Sequence, residues 1–399
     1  MPLEKPIDSL LENDLQELIT NGVTERRTIE YKEALPGTND EARKEFLFDV
    51  SSFANAAGGS LVYGIKEEAG VPIALRGIQV SDADSERLRL ESMMRDGISP
   101  RMFGVEVGGP IQIASGGVAF VIRVPRSWNG PHMVTYKGSN KFYSRNSAGK
   151  YPLNIEELRA AFAFTETTKE RLRDFRADRL AKIVAGETPV PLPKQPLVVL
   201  HVAPLSAFES AKRFDAASLA KLGRPDSLQP IYSDSAYNYR YNFDGYLTFD
   251  KREAAKPASS YLQWFRNGIL ESVSATVLMT QKSIPSYFFE RGLLRFALPK
   301  YLDTLKQLGV QPPVFLGLTL LGISGYRIEM PGHPFLFADK GLPIDRDSLI
   351  LPDVTIETFE SNLDEAMKPV FDSIWNAAGR DGSIYYEGLV WKDDKFRGR

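Results

Sequence analysis

Residues 40–65 read DEARKEFLFDVSSFANAAGGSLVYGI. Phe46, Leu47, Val50, Phe53, Ala54 and Ala57 recur at the spacing of one helix face. Gly58-Gly59 ends that pattern, and SLVYGI continues at once as a strand. Working outward, Thr28 to Lys32 fits a short strand. Before it Ile7, Leu10, Leu11, Leu15, Leu18 and Ile19 fall at helical spacing, up to the stop signal Asn21-Gly22. Downstream, from Phe103 to Ser144, the runs FGVEV, IQI, VAFVIRV, HMVTY and KFYS are separated by Gly, Pro and Asn turns, the pattern of antiparallel hairpins. The first half is therefore expected to be α/β in the α+β sense, a mixed sheet with packed helices.

A helix beginning near Asn154 and the charged stretch TKERLRDFRADRLAKI lead to GETPVPLPKQP, where Pro189, Pro191, Pro193 and Pro196 stiffen the chain. The expected organisation is a first domain over residues 1–186, a Pro-rich linker over 187–196 and a second α/β domain over 197–399. Strand patterns near Leu197–Val202 and Tyr237–Phe249, helical patterns near Tyr287–Leu308 and Ile356–Ala377, and an apolar run at Val314 support the second domain.

The 399 residues are 43% hydrophobic and 25% charged, a globular composition too apolar for disorder. Cysteine is absent, which excludes disulfides, thiolate nucleophiles and Cys-ligated metals. His132, His201 and His333 stand far apart, so the chemistry must run on carboxylates, lysines, arginines and hydroxyls. The amino terminus lacks a secretory signal pattern. The longest apolar run, Pro313 to Ile323, is about half of the roughly 20 residues that span a bilayer. A cytoplasmic protein without a membrane span is expected. The net charge of −2 hides an asymmetry: residues 1–100 hold 11 Lys/Arg against 19 Asp/Glu, a balance of −8, and residues 101–186 hold 14 against 7, a balance of +7.

Glu30 and Lys32 stand two apart in the predicted strand, so both leave one face about 7 Å apart, while Ile29 and Tyr31 face the core. A glutamate beside a lysine suits a nuclease site that holds Mg²⁺ or Mn²⁺ on hard oxygens. The same pattern also decorates ordinary solvated strands. Glu25 points the other way in an ideal strand and joins only from a turn or bulge. A third carboxylate can come from Glu67 or Glu68 after the next strand. Gly59 to Lys66 has the glycine spacing of a phosphate loop without its Lys-Ser/Thr pair, which disfavours an ATP-binding regulator.

The basic part offers Arg101, Arg123, Arg126, Lys137, Lys141, Arg145 and Lys150, interleaved with Trp128, Tyr136, Phe142 and Tyr143. Cations neutralise phosphates while exposed aromatics stack on bases; alternatively the aromatics are core and the cations decorate hairpins. Residues 169–182 read as a solvated helix face with local ion pairs. His132 has no evident partner, and a structural or surface role is expected.

At these residues the sequence resembles the Schlafen family, in its small Alba-like domain. Glu25 with Ile29-Glu30-Tyr31-Lys32 resembles the family's E-x-x-x-[aliphatic]-E-[aromatic]-K. Ser52-Phe53-Ala54-Asn55 with Gly58-Gly59, Leu61-Val62-Tyr63-Gly64-Ile65, and Phe142-Tyr143-Ser144-Arg145 resemble three further elements in order. The resemblance covers about residues 10–165. It implies a Schlafen-type fold and a metal-dependent endoribonuclease acting on tRNA or another structured RNA, with Glu25, Glu30 and Glu67 on Mg²⁺ or Mn²⁺ and Lys32 at the scissile phosphate. Glu67 stands where the family has aspartate, with Glu68 as substitute. Arg123, Arg126, Lys137, Lys141, Tyr143 and Arg145 would hold the nucleic acid. The resemblance further implies a homodimer and an effector of phage defence whose second domain senses a trigger. The competing expectation is a non-catalytic DNA- or RNA-binding transcriptional regulator.

Overall fold

The computed structural model describes residues 3, 5–208, 213–215, 217, 220–221, 228–233, 238–278, 282–329 and 341–393. They fall into two compact units, Met1–Thr167 and Thr168–Arg399.

In the first unit, strands β1 (Ile29–Lys32), β2 (Gly59–Tyr63), β6 (Glu106–Gln112) and β7 (Val118–Val124) form a sheet in the order β1-β2-β7-β6; β3 (Ile65–Glu68) and β4 (Val71–Leu75) make a separate hairpin. β1 and β2 run parallel, with Ile29 opposite Ser60 and Lys32 opposite Tyr63. A second sheet, in the order β10-β9-β8-β5, joins β5 (Ile98–Ser99), β8 (Met133–Val134), β9 (Lys141–Asn146) and β10 (Gly149–Pro152). Helix α1 (Glu12–Thr20) packs Leu15 and Leu18 on one face of the first sheet, with Ile29, Tyr31, Val62 and Val121. On the other face lies helix α2 (Asp40–Ala54), burying Phe46, Leu47, Val50 and Phe53 against Leu61, Tyr63, Phe120 and Ile122, and also against Val134 of the second sheet.

Local chemistry sets the limits of α2. Asn39 caps its start by accepting a hydrogen bond from the Ala42 amide at 2.8 Å. The two glycines after its end answer to crowding. A Cβ on Gly58, which sits at φ 72°, would lie 2.7 Å from the Arg126 nitrogen. On Gly59 it would lie 2.5 Å from the Phe53 ring and 2.6 Å from the Thr28 oxygen. Gly59→Ala is accordingly expected to cost about 1–3 kcal/mol, the range for forced overpacking, read as a lower urea midpoint.

Three local expectations shift. The first apolar run divides into a short 3₁₀ turn, Ile7–Ser9, and α1, because the Asp14 carboxylate accepts from the Leu11 amide at 2.9 Å and starts the helix there. SLVYGI breaks at Gly64, at φ 100°, which separates β2 from β3. Helix α3 (Ala83–Gly97), capped by Asp82, was not anticipated from periodicity.

The second unit is built on an antiparallel sheet in the order 238–241, 245–250, 260–265, 270–274, 197–204 and 314–321, the last also pairing with 348–350 and 354–356. Val198, Leu200 and Val202 face a core shared with helices Ser286–Arg291, Leu298–Gln307 and Leu363–Ala377. Leu197 and Val199 face the other way, towards helix α4 (Ile155–Val184). Burial on both faces explains why Leu197–Pro204 and Val314–Leu321 are buried throughout.

The division between units lies inside α4, whereas the sequence places it at 186–196. Leu172, Leu180 and Ile183 of α4 and Val190 of the Pro-rich segment are buried among second-unit side chains, so packing carries both segments into that unit. The face expected to be solvated is in part buried: Arg176 bonds the Leu318 carbonyl, and Arg179 pairs with Glu271. No helix among the described residues is long and apolar enough to cross a membrane.

Candidate functional site

The chemistry-bearing side chains gather where β1, α2 and the β9–β10 hairpin meet. Because β1 turns Ile29 and Tyr31 to the α1 face, Glu30 and Lys32 leave the sheet on the α2 side. Glu30 accepts from Lys32 Nζ at 2.6 Å and from Arg145 Nη2 at 2.7 Å. Lys32 lies 3.6 Å from an Asp49 oxygen, and Lys150 bonds both Asp49 and Glu45, which sit one turn apart on α2. The result is a chain of alternating charge.

Burial shapes each acidity. It pushes the Asp49 carboxyl up to about 6, aided by the charge of Glu30 and opposed by Lys150 and Lys32. Burial also works upward on Glu30, but the bonds from Lys32 and Arg145 outweigh it and hold that carboxyl below its usual range. Lys32 is raised: burial works against its charge, and Asp49 and Glu30 win.

The three expected carboxylates draw near one another but are not placed as one metal centre among the described residues. A tight turn at Arg26–Ile29 does bring Glu25 beside β1, as required. Its carboxylate, however, accepts from the Tyr31 amide at 2.8 Å, and burial raises it, with Glu30 and Glu67 adding. Glu67 folds back to the Gly70 amide at 2.5 Å, and the exposed Glu68 lies 3.4 Å from Lys66. Among the described residues no three His, Asp or Glu side chains are placed to hold a metal. Glu25, Glu30 and Glu67 as arranged do not fit Mg²⁺ or Mn²⁺.

The predicted nucleic-acid residues separate. Arg123 pairs across the sheet with Ser60, which shares the face of Ile29, so it lies opposite the Glu30 side; it bonds Glu106 and the carbonyls of Leu3 and Lys5. The Arg126 guanidinium stacks 4.6 Å from the Phe164 ring and 5.3 Å from Trp128. Lys137 pairs with Asp40 at 2.6 Å, and Tyr136 also bonds Asp40. Tyr143 stacks on Phe48 with centroids 4.1 Å apart. Arg145 is 4% exposed and sits 3.7 Å over Phe53, so it positions Glu30 and is closed to a ligand. Lys141 and Arg101 are exposed.

Two contributors, Asp49 and Glu45, escaped the sequence reading, and the partners of two residues named there, Asn55 and His132, were not foreseen. Asp49 and Glu45 stand at i, i+4 beside the apolar stripe of α2, a spacing that marks a shared helix face. Asn55 donates to the His132 and Tyr143 carbonyls, each at 2.8 Å, and accepts from the His132 amide at 2.7 Å, tying α2 to the second sheet. His132 is fully buried and not partnerless, with ring nitrogens 2.7 Å from the Pro100 oxygen and 2.5 Å from Ser127 Oγ. Burial lowers its pKa, in keeping with a structural role.

Residues 25–154 match the family model described as Schlafen, AlbA_2. Among solved structures, the DIP2311 protein from Corynebacterium diphtheriae is similar at 18% identity and a TM-score of 0.25, over 35% of this chain and 26% of that one. The N-terminal domain of a putative ATP-dependent DNA helicase RecG-related protein from Nitrosomonas europaea is similar at 20% identity and a TM-score of 0.25, over 33% of this chain and 86% of that domain. The chain thus spans about a quarter of the Corynebacterium protein's length. No curated protein matches. The order of motifs from Glu25 to Arg145 and the match over residues 25–154 agree: this chain carries a Schlafen AlbA_2 domain.

Proposed function

We propose that residues 25–154 bind nucleic acid through phosphate contacts at the junction of β1, α2 and β9–β10. One observation carries this reading: inside the Schlafen AlbA_2 span, Lys32 and Lys150 converge on the single carboxylate of Asp49. The buried Asp49 holds the two ammonium groups together, and a phosphate that displaces the exposed Glu45 from Lys150 meets a cation already drawn up beside Lys32. Lys141, exposed on β9, adds a third cation. Binding of this kind releases counterions, so affinity falls steeply with salt.

The test is fluorescence anisotropy of the full chain with labelled tRNA and with duplex DNA across a salt series. Lys141→Glu is expected to weaken binding and to reduce the log–log salt slope by about one, with unfolding unchanged. Absence of salt-dependent binding to both probes overturns the reading.

A finer reading makes the domain a metal-dependent endoribonuclease acting on tRNA or another structured RNA, an effector in phage defence working as a cytoplasmic homodimer, with the second unit sensing a trigger. One observation favours it: Glu67 bonds the Gly70 amide and Glu25 lies against the same glycine, so two of the three carboxylates are neighbours, and burial, with Glu30 and Glu67 adding, raises the Glu25 carboxyl. It requires Glu25 and Glu67 to release the Tyr31 and Gly70 amides. Incubating the full chain with tRNA in Mn²⁺ or in EDTA is the direct measurement. On this reading cleavage needs Mn²⁺, and Glu30→Gln abolishes it while RNA binding persists. Intact tRNA in Mn²⁺, with binding retained, favours the non-catalytic regulator. Light scattering on the eluting protein gives the subunit count.

A further inference from the structure

Within the second unit, α4 and the strand ends around 315 and 350–353 enclose a groove of about 520 Å³, a size typical of small-molecule sites. One wall is a single face of α4: Arg173, Arg176, Ala177 and Leu180. The other is largely apolar, formed by Phe315, Ile350, Leu351 and Pro352, with Asp353 at its end. Ile350 is 62% exposed, an isoleucine left to water beside a cavity.

The charge in this groove is unbalanced. Arg176 is 7% exposed and fixed, with Nη1 on Asp353 at 2.5 Å and Nη2 on the Leu318 carbonyl and Thr319 Oγ1 at 2.8 and 3.0 Å. Its Nε is buried without a hydrogen-bond partner, so Arg176 acts on the groove through its charge and not by a direct bond. Asp353, its one counter-charge, has a side chain 49% exposed and is screened accordingly. Burial draws the Arg176 guanidinium below its ordinary basicity, and Asp353 restores only part. Arg173, exposed on the same wall, adds a second positive charge. Two arginines against one carboxylate leave a net positive site lined with hydrocarbon.

We propose that this groove binds a small organic anion with an apolar body, its charged end at the exposed Arg173 in the field of the buried Arg176, and its body against Ile350, Leu351 and Phe315. The charge excess selects an anion, and the apolar wall selects against inorganic phosphate. The site lies outside the Schlafen AlbA_2 span and stands whether or not the first unit binds nucleic acid.

The probe is 8-anilinonaphthalene-1-sulfonate, an aromatic anion whose fluorescence rises on leaving water, titrated into the full chain. Saturable binding of one probe per chain is expected. Arg173→Glu reverses an exposed charge and is expected to raise Kd at least tenfold; Ala177→Trp fills the groove from an exposed helix position and is expected to abolish binding. Both positions are exposed, so both variants should melt as the parent does. N-phenyl-1-naphthylamine, which keeps the rings and lacks the sulfonate, is expected to bind at least tenfold more weakly. The proposal is overturned by the lack of a saturable single site, by binding that neither variant changes, or by equal affinity for the neutral probe.

Discussion

Glu271→Leu is expected to lower the stability of the second unit by about 3–5 kcal/mol, the usual cost of stripping one partner from a buried ion pair. Glu271 is fully buried in the strand Leu270–Ser274. Its two oxygens accept from Arg179 at 2.7 and 2.8 Å, from the Tyr261 hydroxyl at 2.8 Å and from His201 Nε2 at 3.0 Å. Leucine fills the volume but leaves the guanidinium without its anion and Tyr261 without an acceptor. Urea unfolding at pH 7 measures the loss; a change below about 1 kcal/mol, the value of an exposed pair, refutes the argument. Adding Arg179→Met should recover part of the loss, since no stranded charge then remains in the core. The acidity agrees in sign. Burial works to raise the Glu271 carboxyl from 4.5, and the bonds from Arg179 and His201 outweigh it and hold it at about 2. A depressed carboxyl contributes stability that is complete above 4.5 and is lost as pH falls towards 2.

What could be read from the sequence was local. Asp40–Ile65 shows its helix, its glycine stop and its strand because capping and periodicity act over a few residues, and β1 duly pairs with β2. The Glu30–Lys32 face was legible for the same reason: alternation along a strand fixes it relative to Tyr31. The partners of those side chains were not. Arg145 reads as a phosphate contact until Phe53 and Glu30, distant in sequence, are found closing over it. Arg123 has the same composition cue, and only the register opposite Ser60 shows that it lies on the wrong face. Arg176 and Arg179 look solvated because a helix with many charges hides which stripe meets a sheet that is itself covered on both faces.

That difference bears on the candidate site. Motif spacing brings the three glutamates near one another, but hydrogen bonding to backbone amides at Tyr31 and Gly70 decides where two of them point. The half-buried cations there, Lys32 and Lys150, share Asp49 on α2, which no motif singled out, while Glu30 holds Lys32 as well and Lys141 and Arg101 stay exposed. Phosphate binding therefore asks less rearrangement of this domain than metal binding does.

Between pH 5 and pH 8 the second unit is expected to lose about 2.5 kcal/mol of stability through one buried carboxyl, Glu290. It lies in helix Ser286–Arg291 at 2% exposure, accepting from Trp375 Nε1 on one oxygen at 2.8 Å and from Trp391 Nε1 and Ser383 Oγ on the other at 2.8 and 2.7 Å. Burial pushes this carboxyl up to about 7 in spite of those three donors. The folded chain then keeps a proton that the unfolded chain, at 4.5, has released, so stability is greatest below 4.5 and declines as pH climbs through 7. Glu271 adds nothing to the slope in this window, since its contribution is already complete. Asp49, at about 6, acts in the same direction in the first unit, so the comparison must be with a variant. Glu290→Gln is uncharged at every pH and should flatten the decline that tryptophan fluorescence reports during urea unfolding at pH 5 and pH 8. The amide lowers stability at pH 5, because turning its oxygen to Trp391 and Ser383 sets its NH₂ against the Trp375 N–H, donor facing donor. If parent and variant lose stability in parallel from pH 5 to pH 8, Glu290 is ionised in the folded protein and three donors outweigh its burial.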